Sequence, residues 1–120
     1  MARTLVVKVT CGAEDAERCN QGFTVAATAA AAGADVTLWL AGEATWFGVP
    51  GRAESFALEL ATPLETLISA VLATGRLVVC SQCAARRGIA EDELLEGVRI
   101  AGAAVFAEQV LAEGVQALVY

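Results

Sequence analysis

Histidine is absent from the chain, and its absence excludes whole classes of chemistry. No Ser-His-Asp or Cys-His catalytic pair can be built. No metal can take an imidazole ligand, and no haem can be held by one. Any catalytic base must be a carboxylate, a thiolate or water. Cations are also scarce: 8 Lys and Arg stand against 14 Asp and Glu, a net charge of −6. Nucleic-acid phosphates demand a basic footprint, so no nucleic-acid partner is expected. The same balance offers nothing to an anionic membrane surface. Long apolar runs are missing too. Lys8 interrupts the N-terminal run Leu5-Val6-Val7, leaving it too short for the apolar region of a signal peptide. The stretch from Thr24 to Ala41 contains Gly33 and Asp35 and divides into a helix and a strand, so it is not a membrane span. The expectation is a cytoplasmic protein whose four cysteines stay reduced.

What remains is apolar. Of 120 residues, 57% are hydrophobic and only 18% charged, with a mean hydropathy of +0.59. A single domain over residues 1–120 of this size can bury a core without staples. So apolar a chain implies a sheet covered on both faces, apolar surface buried between subunits, or both.

The pattern alternates strand and helix. Thr4 to Thr10 reads as a first strand. Asp15 is placed to cap a helix running to Ala32 and closed by Gly33, with Cys19, Phe23, Ala26, Ala27 and Ala30 on one face. Asp35 to Leu40 is a second strand. Ala41 to Gly51 is a loop holding Trp46 and Phe47, which read as an oligomer contact. Arg52 to Ala61 is partly helical. Thr62-Pro63-Leu64-Glu65 reads as a helix start with a Thr cap, a first-turn Pro and a capping-box Glu. Its apolar stripe is Leu64, Leu67, Ile68, Val71 and Leu72, and Gly75 ends it. Leu77 to Cys80 is a third strand. A short helix over 91–96, a brief strand at Val98 to Ile100, a helix from Ala103 to Glu113 and a strand from Val115 to Tyr120 complete the chain. This alternation predicts a three-layer α/β/α sandwich with a mostly parallel five-stranded sheet. Sites in such folds lie at the carboxyl ends of the strands.

The chemistry concentrates after the third strand, in Cys80-Ser81-Gln82-Cys83-Ala84-Ala85-Arg86-Arg87-Gly88-Ile89. A thiol at the start of a helical turn meets backbone N–H groups that favour an anion. Cys80 and Cys83 are the candidate catalytic residues. Cys11 and Gly12, which follow the first strand, and Arg86, Arg87 and Gly88 are candidates for binding or activation. Cys19 belongs to the core stripe. Glu14, Asp15 and Glu17 complement the helix dipole and take no catalytic role. One C-x-x-C pair without a second pair or any histidine is weak for structural zinc, so no metal and no cofactor are expected. Three other readings stay open: nucleophilic thiolate chemistry on Cys80, dithiol–disulfide redox at Cys80 and Cys83, and a non-catalytic oligomeric ligand-binding subunit.

The order of elements, with Cys80 followed by Arg87-Gly88-Ile89, resembles the DsrE/DsrF-like (DsrE/TusD-type) family of small sulfur-relay proteins. The loop Gly12-Ala13-Glu14-Asp15-Ala16 is similar to the family's loop after strand one, as is Gly114 through Tyr120 to its closing strand. The resemblance covers nearly the whole chain. It implies a parallel α/β sandwich assembled as a homo-oligomer, a trimer or hexamer. It also implies sulfur-donor and sulfur-acceptor proteins as partners, and places Cys80 at the position that carries persulfide sulfur. A cysteine at the position of Cys83 occurs in several members. Cys11 departs from the pattern and leaves open whether a third thiol joins the site.

Overall fold

The computed structural model of the chain describes residues 2–120. Five strands form one sheet: β1 (Thr4–Val9), β2 (Asp35–Leu40), β3 (Arg76–Cys80), β4 (Arg99–Ala101) and β5 (Val115–Val119). Their order is β4-β3-β2-β1-β5, and every neighbouring pair is parallel. The expectation of a mostly parallel sheet therefore holds in its strictest form. Parallel neighbours need crossover connections, and helices supply them: α1 (Ala16–Ala31), α2 (Leu64–Thr74), α3 (Ser81–Arg86) and α4 (Ala103–Leu111).

Alternation of side chains along each strand separates two faces. On the first face Val7, Val9, Val36, Leu38, Leu40, Leu77 and Val79 form one buried layer. The stripes of α1 and α2 lie side by side on it, with Cys19, Phe23, Ala26, Leu64, Ile68 and Val71 buried. Gly22 lets α1 approach closely. A Cβ there would overlap Val9 and press on the Tyr120 ring. Burying each Leu, Ile or Val of this layer contributes about 1.5–3 kcal/mol.

The second face is more polar and less covered. Lys8, Thr37, Trp39, Arg76, Val78 and Cys80 share it by register, and α4 lies across it. Trp39 donates from Nε1 to Gln109 Oε1 at 2.8 Å and meets the Phe106 ring edge to face at 5.2 Å. Gln109 Nε2 donates in turn to Thr37 Oγ1 at 3.1 Å. These bonds satisfy the polar atoms that burial of Trp39 and Thr37 would otherwise strand. α4 is short, so Val105, Leu111 and Val119 stay exposed; Leu118, opposite Val7 in register, is exposed on the first face at the β5 edge.

Local details correct several expectations. α2 begins at Leu64 with Pro63 in the cap position and no side-chain cap bond. The chain turns at Pro63, and the Thr62 carbonyl instead accepts from Asn20 Nδ2 at 3.1 Å. Asp15 stands at the α1 cap without a cap bond and pairs with Arg18 at 3.3 Å. Residues 52–61 are helical in part, over the single turn Ala53–Ser55, whereas the helix expected over 91–96 shrinks to one turn, Glu91–Glu93. Phe47 is not an oligomer contact. It is 6% exposed and packs edge to face on Phe23 and Phe56 at 6.1 and 5.6 Å, closing the core. Trp46 stacks under Arg52 at 4.1 Å.

Candidate functional site

Three loops meet at the carboxyl edge of the sheet, and glycine allows the approach. After β1 comes Gly12, where a Cβ would lie 3.0 Å from both Cβ and the carbonyl oxygen of Glu43. After β2 comes Gly42, whose N–H donates to Cys83 Sγ at 3.2 Å. After β3 comes α3, whose first turn carries Cys80 and Cys83. Arg87 fastens the group: Nε and Nη2 donate to Glu43 Oε2 at 2.9 and 2.7 Å, and Nη1 to the Cys83 carbonyl at 3.1 Å. Gly88, at φ +66°, ends the turn and sends Ile89 back into the core. Arg86 lies exposed on the outer side of α3.

Cys80 caps α3 with an extended backbone (φ −62°, ψ 126°). Burial pushes its thiol up. The backbone N–H of Cys83, the Cys83 thiol, the backbone N–H of Gln82 and the Lys8 charge pull it down, and together they win. The net position is below the ordinary 9.0. Hydrogen bonds to the charged form and a nearby cation are what stabilise a thiolate. The remaining thiols in the first loop and helix behave oppositely. Burial, then Asp15 and Glu14, push Cys11 up, and its Sγ sits 3.8 Å from the Asp15 carbonyl. Cys19, fully buried, is pushed up to about 12, by burial first and Cys11 next. All four cysteines are free thiols.

The cation acting on Cys80 is Lys8, which the sequence reading passed over. Its ammonium lies 4.1 Å above the centre of the Phe106 ring, and among the described residues no carboxylate pairs with it. The signal available in sequence was a lysine inside an otherwise apolar strand. Arg87, chosen from sequence as the activating cation, is engaged by Glu43 instead. Glu43 and Gly42 were also missed, because a loop acid and a loop glycine carry no motif.

Two outcomes follow. In the native protein, alkylation by iodoacetamide near neutral pH should label Cys80 first and Cys19 last, read by peptide mapping. Cys19 labelling first would refute the placement of both. Replacing Lys8 by Met removes charge that favours the anion, so the midpoint of the Cys80 alkylation–pH curve should move upward, whereas Lys8→Arg should leave it near its native place. An unmoved midpoint in Lys8→Met would remove Lys8 from the site.

Comparison with known proteins agrees with this frame. The DsrE/DsrF-like family matches residues 4–119. The chain belongs to that family. Two solved structures share the DsrE-like fold seen here. The YchN protein from E. coli is 19% identical with a TM-score of 0.75, covering 98% of this chain and 99% of that one. The protein of unknown function MTH1491 from Methanobacterium thermoautotrophicum is 14% identical with a TM-score of 0.71, covering all of both chains. No curated protein matches the chain at a comparable level.

Proposed function

We propose that this DsrE-like protein is a sulfur-relay protein and that Cys80 carries the sulfur as a persulfide. The observation that carries the reading is the contrast among thiols. Cys80 is held below its ordinary range, at a partly exposed position on the carboxyl edge of the sheet, while Cys11 and Cys19 are buried and held above theirs. In the step proposed, the Cys80 thiolate attacks the outer sulfur of a donor persulfide. A new S–S bond forms on Cys80, and the donor leaves as its own thiolate with the electron pair of the broken bond. An acceptor cysteine then takes the outer sulfur in the same way. The donor and acceptor are cysteine-bearing proteins of the cytoplasm, where such thiols stay reduced. Intact-mass spectrometry after incubation with glutathione persulfide tests this. Read immediately after a brief incubation, before the sulfur is passed on or released, the chain should carry one added sulfur, removable by reductant and mapped to Cys80.

The placement of Cys83 three residues after Cys80 on the first turn of α3 favours dithiol–disulfide exchange as a second reading. In that case an oxidant, without any sulfur donor, should close the pair reversibly and no sulfur should be retained.

We also propose self-association through the incompletely covered face. Leu111 is 82% and Val119 62% exposed, and Val105 on α4 is exposed as well. An edge strand with no charge or proline, such as β5, is left unprotected in a monomer. A monomer by light scattering at micromolar concentration would refute this.

A further inference from the structure

Cys83 is superfluous to a simple carrier. Carrying sulfur needs one thiolate, and a second thiol beside a loaded persulfide is a hazard to the cargo. Yet the fold holds Cys83 there deliberately on two sides. The Gly42 N–H donates to its sulfur at 3.2 Å. Its carbonyl is fixed by Arg87, which Glu43 anchors in turn. The two cysteines stand at the cap and the third position of α3, one helical turn apart and on the same side. Residues three apart in a helix are neighbours, within the span a disulfide bridges. No other cysteine can take this part, since Cys11 is buried against the Asp15 carbonyl and Cys19 lies under α1 in the core.

We propose that Cys83 discharges the persulfide on Cys80 as hydrosulfide, making the protein a sulfide-releasing persulfide reductase. The proposal rests on the persulfide reading of Cys80. Cys83 sulfur attacks Sγ of Cys80, the inner sulfur of the persulfide. A Cys80–Cys83 disulfide forms and the bond from Sγ to the outer sulfur breaks. Its electron pair departs with the outer sulfur, which takes the Cys83 thiol proton and leaves as hydrosulfide. The outer sulfur is reduced to sulfide, and the two cysteine sulfurs are oxidised to the disulfide. Attack through a good leaving group is the ordinary course of thiol–disulfide exchange. A dithiol reductant then resets the pair, becoming a disulfide itself as it returns two electrons. In this cycle the protein consumes persulfide and reducing dithiol and yields sulfide.

The test is a single turnover. Wild type, Cys83→Ser and Cys83→Ala are reduced, freed of reductant, incubated briefly with glutathione persulfide and desalted. Sulfide released afterwards is trapped with monobromobimane, and each chain is weighed intact. Trypsin cleavage after Arg76 and Arg86 leaves both cysteines, and no others, in the peptide 77–86. Wild type should release about one sulfide per chain, lose the added sulfur, and show a peptide lighter by two hydrogens. The Cys83 variants should keep the added sulfur and release sulfide only when dithiothreitol is supplied. Wild type that holds its added sulfur without releasing sulfide would overturn the proposal and leave the relay intact. Sulfide release without a disulfide in peptide 77–86 would also overturn it, even if the variants fail to fold. Absence of sulfur gain in wild type and variants alike would overturn the relay reading, and this inference with it.

Discussion

Cys80→Ser is expected to reduce persulfide loading to the level of the donor-free blank, while Cys83→Ser still takes up one sulfur. A hydroxyl at this position is protonated near neutral pH and is a far weaker nucleophile than a thiolate. The backbone N–H groups of Cys83 and Gln82, together with Lys8, favour an anion that serine does not supply. The exchange removes little volume from a partly exposed site, so stability should change by no more than about 1 kcal/mol. An unchanged thermal melt therefore separates lost chemistry from lost structure. The measurement is intact mass after glutathione persulfide, with peptide mapping of any added sulfur. Loading that survives in Cys80→Ser and vanishes in Cys83→Ser would exchange the roles of the two thiols. In dithiol exchange, by contrast, either substitution alone would prevent closure, because both sulfurs form the bond.

How much of this was legible in sequence depends on whether the decisive interaction is local. The stripes of α1 and α2 were readable, since Cys19, Phe23, Ala26 and Ala30 recur at helical spacing and all are buried. Cys80 was readable because an apolar strand ends on it and a helical turn starts after it. Lys8 was not. Its effect on Cys80 depends on β1, β2 and β3 being parallel and in a register that puts Lys8, Trp39 and Val78 in one row of the second face. That register is a property of three strands distant in sequence. Arg87 misled for the same reason: its partner Glu43 is 44 residues away, so adjacency to the cysteines suggested a free cation where the loop acid holds the guanidinium. Phe47 misled because a loop aromatic was read as surface. The tight turns of 42–48 fold it inward against Phe23. The Thr62 cap failed because Pro63 carries an extended ψ of 141° and the helix starts one residue later than the pattern suggested.

The largest effect on the fold should come from Gly42→Ala, with Gly88→Ala as its control. Both residues have positive φ, +54° and +66°, and an alanine in that region costs about 1–2 kcal/mol. Their surroundings differ. Around Gly88 an added Cβ meets nothing within 4 Å, so strain is the whole cost. At Gly42 the Cβ would overlap the Thr10 carbonyl oxygen. That carbonyl cannot easily retreat, because the Thr10 N–H and Oγ1 both donate to the Tyr120 carbonyl at 2.8 and 2.7 Å. Just beside it, the Ala41 N–H donates to the Val9 carbonyl at 2.9 Å. The loop after β2 must move instead, and overpacking of this kind adds about 1–3 kcal/mol. Gly42→Ala should therefore cost about 2–5 kcal/mol, against about 5–15 kcal/mol of stability for a typical domain. Moving Gly42 also withdraws its N–H from Cys83 and loosens the Glu43 anchor of Arg87, so the variant should release sulfide more slowly than Gly88→Ala at equal loading. Urea unfolding of the two variants measures the first effect, and the bimane trap the second. Equal unfolding midpoints would show that the carboxyl edge yields to a methyl group, and that the contact between the first and second loops does not hold the cysteines in place.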